Sequence, residues 1–158
     1  MNETVVKRAL IFSLILGAFI GIVSLLPVAI GFALFILMFL SSPIIIIYMK
    51  KNEKHLSFIN NEQGAILGAI IGFGATIGFF ASFSPLVCIL KLIFKNYYSY
   101  MIPDMLASAL WLFFVVVFMV ALVFAATNAA SAMGLAWFYS HFEQSPDDEQ
   151  RLDIKIED

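Results

Sequence analysis

Ionisable side chains are scarce in this sequence of 158 residues, and none lies in the central part of its four longest apolar runs. A proton relay across a membrane uses an intramembrane carboxylate or histidine, so proton-coupled transport is disfavoured. Cysteine occurs once, as Cys88, which excludes an intramolecular disulfide and a Cys-based metal site. His55 and His141 each lack a second His or Cys at ligand spacing, so we expect no metal site.

Signatures of catalysis and of nucleic-acid binding are also missing. The apolar runs contain no Ser–His pair and no paired Asp that could activate a nucleophile, so we expect no enzyme and no cofactor. The net charge is −2, and six of the eleven acids lie in the last twelve residues. Because nucleic-acid binding needs a surplus of basic residues, no nucleic-acid partner is expected.

Apolar length is what the sequence has in abundance, with 62% hydrophobic residues and a mean hydropathy of +0.97. A helix needs about 20 apolar residues to cross a hydrocarbon core of about 30 Å. We therefore predict an all-α integral membrane protein, a four-transmembrane-helix bundle within one membrane domain over residues 1–142. The predicted spans are residues 9–26, 28–49, 64–83 and 105–138, with Pro27 in a tight turn between the first two.

The first span has an alternative, because Lys7 and Arg8 precede it as basic residues precede the apolar core of a signal peptide. The apolar run is longer than such a core, and no small-x-small cleavage site follows before Pro27. We expect the segment to be retained as a membrane helix.

Basic residues predict the orientation of the spans. Five of them, at positions 7, 8, 50, 51 and 54, flank the spans on one side, and Lys91 and Lys95 lie on the other. Lys and Arg concentrate in cytoplasmic loops, so both termini are expected in the cytoplasm. The layout resembles that of small four-helix bacterial membrane proteins, which implies the cell (inner) membrane. The acidic tail, residues 143–158, has too little apolar area to fold and is predicted to be disordered.

An interfacial amphipathic helix is predicted over residues 85–100, between the third and fourth spans. Its apolar residues recur at helical spacing, Lys91 and Lys95 lie on another face, and three tyrosines follow. The alternative is that the third span continues through Pro85 as a long tilted helix to Phe94.

Small residues predict where the spans touch, because membrane helices pack where small side chains let backbones approach. The third span contains the stripe Gly64, Gly68 and Gly72, with Gly78 assigned near the same side. A shorter stripe occupies the first span, at Ser13, Gly17 and Gly21. The first and third spans are therefore expected to cross closely, although the partner of the third-span stripe is left open between the first span, the fourth span and another copy.

Two copies of a similar pattern raise the hypothesis of an internal duplication. Residues 17–21 read Gly-Ala-Phe-Ile-Gly and residues 74–78 read Gly-Ala-Thr-Ile-Gly, and each is followed by a Ser-x-x-Pro sequence. Parallel repeats of this kind build some transporters. Chance similarity between apolar segments is the alternative.

Polar residues inside the spans provide the only candidate for a binding site. Thr127, Asn128 and Ser131 lie in the fourth span, where they could bind a polar solute or form interhelical hydrogen bonds. The sequence 41–43, Ser-Ser-Pro, predicts a kink in the second span, because proline frees carbonyl groups that serine hydroxyls can cover.

These patterns favour a non-enzymatic accessory, scaffold or assembly protein whose helices pack through their glycine faces. Its partners would be the lipid bilayer and either a second copy or another membrane protein. The alternative is a subunit of a small-solute transporter or channel, with a polar path near Asn128. A polar groove would favour transport, and a fully packed apolar interior would favour the accessory function.

Overall fold

The computed structural model describes residues 3–25, 28–52, 60–93 and 109–142. These residues form helices α1 (Glu3–Val23), α2 (Val28–Leu37), α3 (Ser41–Asn52), α4 (Asn61–Ile93) and α5 (Leu110–Phe142), and a 3-10 turn joins α2 to α3 (Met38–Leu40). No strand occurs within the described ranges. Four helical segments are long and apolar enough to cross a membrane, as predicted. The chain is thus compatible with a multi-pass membrane protein.

The second span is interrupted at the kink that the sequence predicts. α2 ends at Leu37, the 3-10 turn follows, and α3 starts at Ser41, two residues before Pro43. Proline lacks a backbone N–H, so the helix cannot form its regular bond at that point. The span continues because Pro43 lies in the first turn of α3, where a missing N–H is tolerated.

The predicted end of the third span is wrong. α4 does not stop near Phe83 but continues through Pro85 to Ile93, so residues 85–93 of the predicted interfacial helix belong to the third span. Apolar surroundings offer backbone groups no alternative partners, and a helix that continues past proline leaves fewer of them unbonded than one that stops. Residues 94–100 lie outside the described residues.

The ends of the first and fourth spans also differ from the predicted ones. α1 begins at Glu3, six residues before the predicted start, so that Lys7 and Arg8 are helical. α5 extends to Phe142, four residues past the predicted end. Charged or polar residues continue a helix beyond the apolar run, which hydropathy alone does not detect. The predicted start at residue 105 and the tail, 143–158, lie outside the described residues.

α4 is the central helix of the bundle. In the most apolar stretch of each helix, 50% of the residues are buried in α4 but only 11% in α5. α1 and α5 both pack along α4, α1 running parallel and α5 antiparallel to it. α3 touches all three of these helices.

Two clusters of buried side chains lie at different levels of the bundle. Near the start of α1 and the end of α3 the cluster is aliphatic, and it consists of Val5, Ala9, Ile45, Ile46, Met49, Leu67, Ile71 and Ala132. Around the 3-10 turn it is partly aromatic, with Ile20, Met38, Ala75, Phe79 and Phe124. Since Val5 and Met49 share a cluster, the basic residues of α1 and of the α3 end lie at the same end of the bundle.

The two halves of the chain are not packed alike. α5 follows α4 over a long contact, whereas the second span touches α1 far less extensively. The hypothesis of a duplication therefore gains no support from equivalent helix pairs, and it stays a prediction.

Candidate functional site

The α1–α4 contact is built from small residues on both helices. A β-carbon at Gly17 would overlap the carbonyl oxygen of Ala75, and one at Gly21 would lie 2.7 Å from the carbonyl oxygen of Phe79. In the opposite direction, a β-carbon at Gly78 would overlap the carbonyl oxygen of Leu14. Each glycine therefore lies against the backbone of the other helix, and no larger residue fits without separating them.

Serines add polar contacts to this helix pair. Ser13 is fully buried, and its hydroxyl occupies the space that a side chain at Gly74 would need. The Ser82 hydroxyl donates to the carbonyl oxygen of Ala18 at 2.9 Å, which ties α4 to α1. Ser13 itself bonds within α1, to the carbonyl oxygen of Leu10 at 2.8 Å.

The glycine stripe of α4 divides between two partners, which corrects the assignment of its four glycines to one side. A β-carbon at Gly64 would lie 2.9 Å from the β-carbon of Ala136, one at Gly68 would overlap the carbonyl oxygen of Asn128, and one at Gly72 would overlap that of Phe124. All three glycines thus face α5. Gly78 follows Gly72 by six residues, or about 240° around a helix of 3.6 residues per turn, and so it faces α1.

Asn128 is the centre of a buried polar cluster between α5 and the second span. Its side chain is 0% exposed. The carbonyl oxygen of its carboxamide accepts from the Ser41 hydroxyl at 3.0 Å and from the Ser42 backbone N–H at 2.8 Å. Its amide nitrogen donates to the carbonyl oxygens of Met38 at 3.1 Å and Phe124 at 3.0 Å. All four hydrogen-bonding positions of the carboxamide are therefore occupied by the protein.

The carboxamide also substitutes for a backbone hydrogen bond of the second span. In an uninterrupted α-helix the N–H of Ser42 would donate to the carbonyl oxygen of Met38. Here the Asn128 carboxamide accepts from the Ser42 N–H and donates to the Met38 carbonyl oxygen. The side chain of α5 thereby completes the backbone bonding of the helix opposite to it.

The hydroxyls of Ser42 and Ser131 extend the cluster along α5. The Ser42 hydroxyl donates to the backbone carbonyl oxygen of Asn128 at 2.8 Å and lies 3.0 Å from the Ser131 hydroxyl. The Ser131 hydroxyl lies 3.1 Å from the same carbonyl oxygen. Within the described residues, the hydroxyl of Ser24 is the one buried side-chain group without a partner, and it lies outside this cluster.

Thr127 is not part of the cluster, although it was predicted together with Asn128 and Ser131. Its side chain is exposed, and its hydroxyl donates within α5 to the carbonyl oxygens of Val123 and Phe124 at 3.0 and 3.1 Å. The residues that join the cluster instead are Ser41 and Ser42, which the sequence associated with the kink alone. The sequence does carry a signal for this contact, because the serines and the asparagine lie within apolar spans, where polar groups must find partners inside the protein.

A groove of about 750 Å³ opens on the exposed side between the middle of α4 and the first half of α5. Its walls are apolar and include five phenylalanines, and they consist of Phe73, Ile77, Phe80, Ala81, Phe113, Phe114, Val115, Val117, Phe118, Met119, Ala121 and Leu122. The groove lies apart from the Asn128 cluster and holds no group that could bind an ion. Among the residues that the structure describes, no three His, Cys, Asp or Glu side chains are grouped as metal ligands.

The fold and the cluster define a class, a helical bundle with four apolar helices and a closed internal polar network. Comparison with protein-family models, with curated proteins and with solved structures finds no match for this chain.

Proposed function

We propose that this chain is a non-enzymatic accessory protein of the membrane, acting as a scaffold or assembly subunit. The observation that carries the proposal is the closed state of the Asn128 cluster, in which each position of the carboxamide is bonded to the protein. A solute-binding site presents unfilled donors or acceptors to its ligand. A polar cluster that is filled by the protein itself is suited to holding helices together and not to binding a solute.

Packing within the chain supports the same proposal. The glycines of α1 and α4 lie in contacts between helices of this one chain, so its glycine stripes are not needed for assembly. We take the exposed side of α5 as the surface offered to a partner, because α5 is the least buried of the four spans and carries large apolar residues. They include Trp111, Phe114, Val115, Phe118, Met119, Leu122 and Val123. We propose a second copy or another membrane protein as the partner, the cell (inner) membrane as the location, and cytoplasmic termini.

The mass of the gently solubilised complex tests this proposal, with identification of the chains that copurify. Val115→Trp adds bulk to the exposed side of α5, and Ile15→Trp introduces the same side chain on the exposed side of α1, where no partner is proposed. We expect the first variant to lose copurifying chains and the second to keep them. A wild-type protein that purifies as a monomer, with no copurifying chain, would contradict an assembly function.

The alternative is a transport or channel subunit with a polar path near Asn128. It requires the carboxamide to release its bonds to the second span, because no other buried polar cluster is present among the described helices. Flux of small solutes into liposomes that contain the purified protein, abolished by Asn128→Leu but not by Thr127→Val, would establish this alternative.

A further inference from the structure

Aromatic rings separate α1 from α3 near the charged end of the bundle. The rings of Phe12 on α1 and Tyr48 on α3 meet edge to face, with centroids 5.4 Å apart. Tyr48 is 52% exposed, so this contact lies at the surface of the bundle. Large side chains keep two helix backbones apart. We call the outer edge of this contact the α1–α3 seam, and its residues are Arg8, Phe12, Ile44, Tyr48 and Lys51.

Two basic residues lie one helical turn beyond the ring contact, one on each helix. Arg8 precedes Phe12 by four residues and lies about 40° from it around α1. Lys51 follows Tyr48 by three residues and lies about 60° from it around α3. Both basic side chains are exposed, and the start of α1 and the end of α3 lie at the same end of the bundle. The two cations therefore converge at the end of the seam.

The basic residues next to them in sequence lie on other sides of their helices. Lys7 is about 140° from Phe12 around α1. The Nζ atom of Lys50 lies 3.6 Å from the centroid of the Tyr139 ring, on the side of α3 that faces α5. Of the four basic residues described at this end, two thus belong to the seam and two do not.

The acids described at this end lie off the seam as well. Glu3 is about 140° from Arg8 around α1, and Glu62 belongs to the first turn of α4. A guanidinium group has five N–H donors, so Arg8 can bind a phosphate and keep contacts within the protein. The end of the seam is therefore suited to an anion.

The seam becomes apolar with distance from its charged end. Ile44 precedes Lys51 by seven residues, which is about 10 Å along a helix, and it is 43% exposed. The Phe12 ring lies between the level of the cations and the middle of α1. A ligand that matches this order of side chains has an anionic group at one end and a hydrocarbon chain at the other. Arginine and lysine bind phosphate, and basic sites between membrane helices bind anionic headgroups.

We propose that the α1–α3 seam binds one anionic phospholipid, whose headgroup lies between Arg8 and Lys51. One of its acyl chains lies against Phe12 and Ile44. The lipid fills the space beside the second span, which touches α1 far less extensively than α4 does. The inference rests on the membrane location proposed above and not on the accessory function.

Quenching of tryptophan fluorescence by brominated lipid measures which lipid occupies the seam. In a background of Trp111→Phe and Trp137→Phe, Ile44→Trp places the single tryptophan in the seam. Ile66→Trp is the matched control, because Ile66 is 52% exposed and lies on α4 at the same end of the bundle. Each protein is reconstituted into bilayers of phosphatidylcholine and phosphatidylglycerol, with bromine on the acyl chains of one lipid at a time.

We expect phosphatidylglycerol to be preferred over phosphatidylcholine about tenfold beside position 44 and less than about twofold beside position 66. The same preference at both positions would mean a general attraction to the charged end and would overturn the proposal. No preference at position 44 would also overturn it. A tryptophan that neither brominated lipid quenches would contradict the membrane location itself, which distinguishes the two failures.

Removal of charge identifies the residues that hold the headgroup. Arg8→Gln combined with Lys51→Gln should reduce the preference at position 44 to less than about twofold. Lys7→Gln combined with Lys50→Gln removes the same charge from the same end and should leave most of the preference. Equal losses from the two combinations would overturn the assignment of the site.

Single variants decide the question if either combination does not fold. Arg8→Gln and Lys7→Gln change neighbouring exposed residues that lie on different sides of α1. The first should lower the preference at position 44 about threefold, and the second should leave it within about 1.5-fold. A loss from Lys7→Gln as large as that from Arg8→Gln would contradict the proposal.

Discussion

The two halves of α5 pack against the same helix in opposite ways. From Ala121 to Ala136 the buried positions are occupied by small residues, Phe124 and Asn128, and this stripe meets the glycines of α4. Before Val120, the described residues of α5 are exposed or half-buried and mostly large, and Trp111 is 70% exposed. Small residues let two backbones touch, whereas rings keep them apart.

Ring geometry supports this contrast. In the first half of α5, Phe113 and Phe118 contact Phe80 and Phe73 edge to face, with centroids 6.1 and 6.2 Å apart. The groove of about 750 Å³ opens at this level. The comparison teaches that side-chain size along one helix decides where the bundle is closed and where it stays open.

The largest expected effect comes from bulk placed in the closed half. Gly68→Ile should destabilise the protein by about 3 kcal/mol or more, because its side chain overlaps the Asn128 backbone and the Ala132 methyl group. Gly134→Ile is the matched control, since a β-carbon at Gly134 meets no atom within 4 Å. Unfolding in mixed micelles with increasing denaturing detergent compares the two variants. Equal stability of both would contradict the close α4–α5 contact.

Removal of the carboxamide should have the next largest effect. Asn128→Leu leaves the Ser42 N–H and the Met38 carbonyl oxygen without their interhelical partner, which should cost about 1–2 kcal/mol in a membrane. Thr127→Val removes a hydroxyl that bonds only within α5, and its cost should stay below about 0.5 kcal/mol. The same detergent titration measures both, and a cost for Thr127→Val as large as that for Asn128→Leu would remove the distinction between them.

A pair of alanines tests the contrast between the closed and open halves directly. Ala132→Leu adds three carbons where α4 and α5 touch and should destabilise by about 1 kcal/mol. Ala81→Leu adds the same carbons to the wall of the groove, and its effect should stay within about 0.5 kcal/mol. Thermal unfolding, followed by circular dichroism, compares the stability of the two variants. A larger loss from Ala81→Leu would show that the groove is closed in solution.

The orientation of the spans in the membrane is not measured by stability, so it is tested by thiol labelling. Lys51→Cys in a Cys88→Ser background should resist an impermeant thiol reagent in intact cells and react after the membrane is opened, because the positive-inside rule predicts a cytoplasmic location for this end. Labelling from outside the intact cell would invert the proposed topology.

Several features were predictable because they depend on local chemistry. Hydropathy is a sum over neighbouring residues, so the four apolar helices and the kink before Pro43 follow from sequence alone. The end of the third span did not follow from sequence alone. A proline such as Pro85 ends some helices and only kinks others, and the surroundings of the helix decide between the two. The ends of α1 and α5 extend into polar residues, which hydropathy does not count as helix.

The sequence by itself determined which residues could form close contacts and which polar groups needed partners, since size and hydrogen-bonding capacity belong to each side chain. Only the tertiary structure decided which residues are their partners. It turned Gly64, Gly68 and Gly72 toward α5 and Gly78 toward α1, and it joined Asn128 to Ser41 and Ser42 across 86 positions or more. The physical reason is that helix rotation and the depth of each helix are set by packing between helices, which spacing along one chain does not specify.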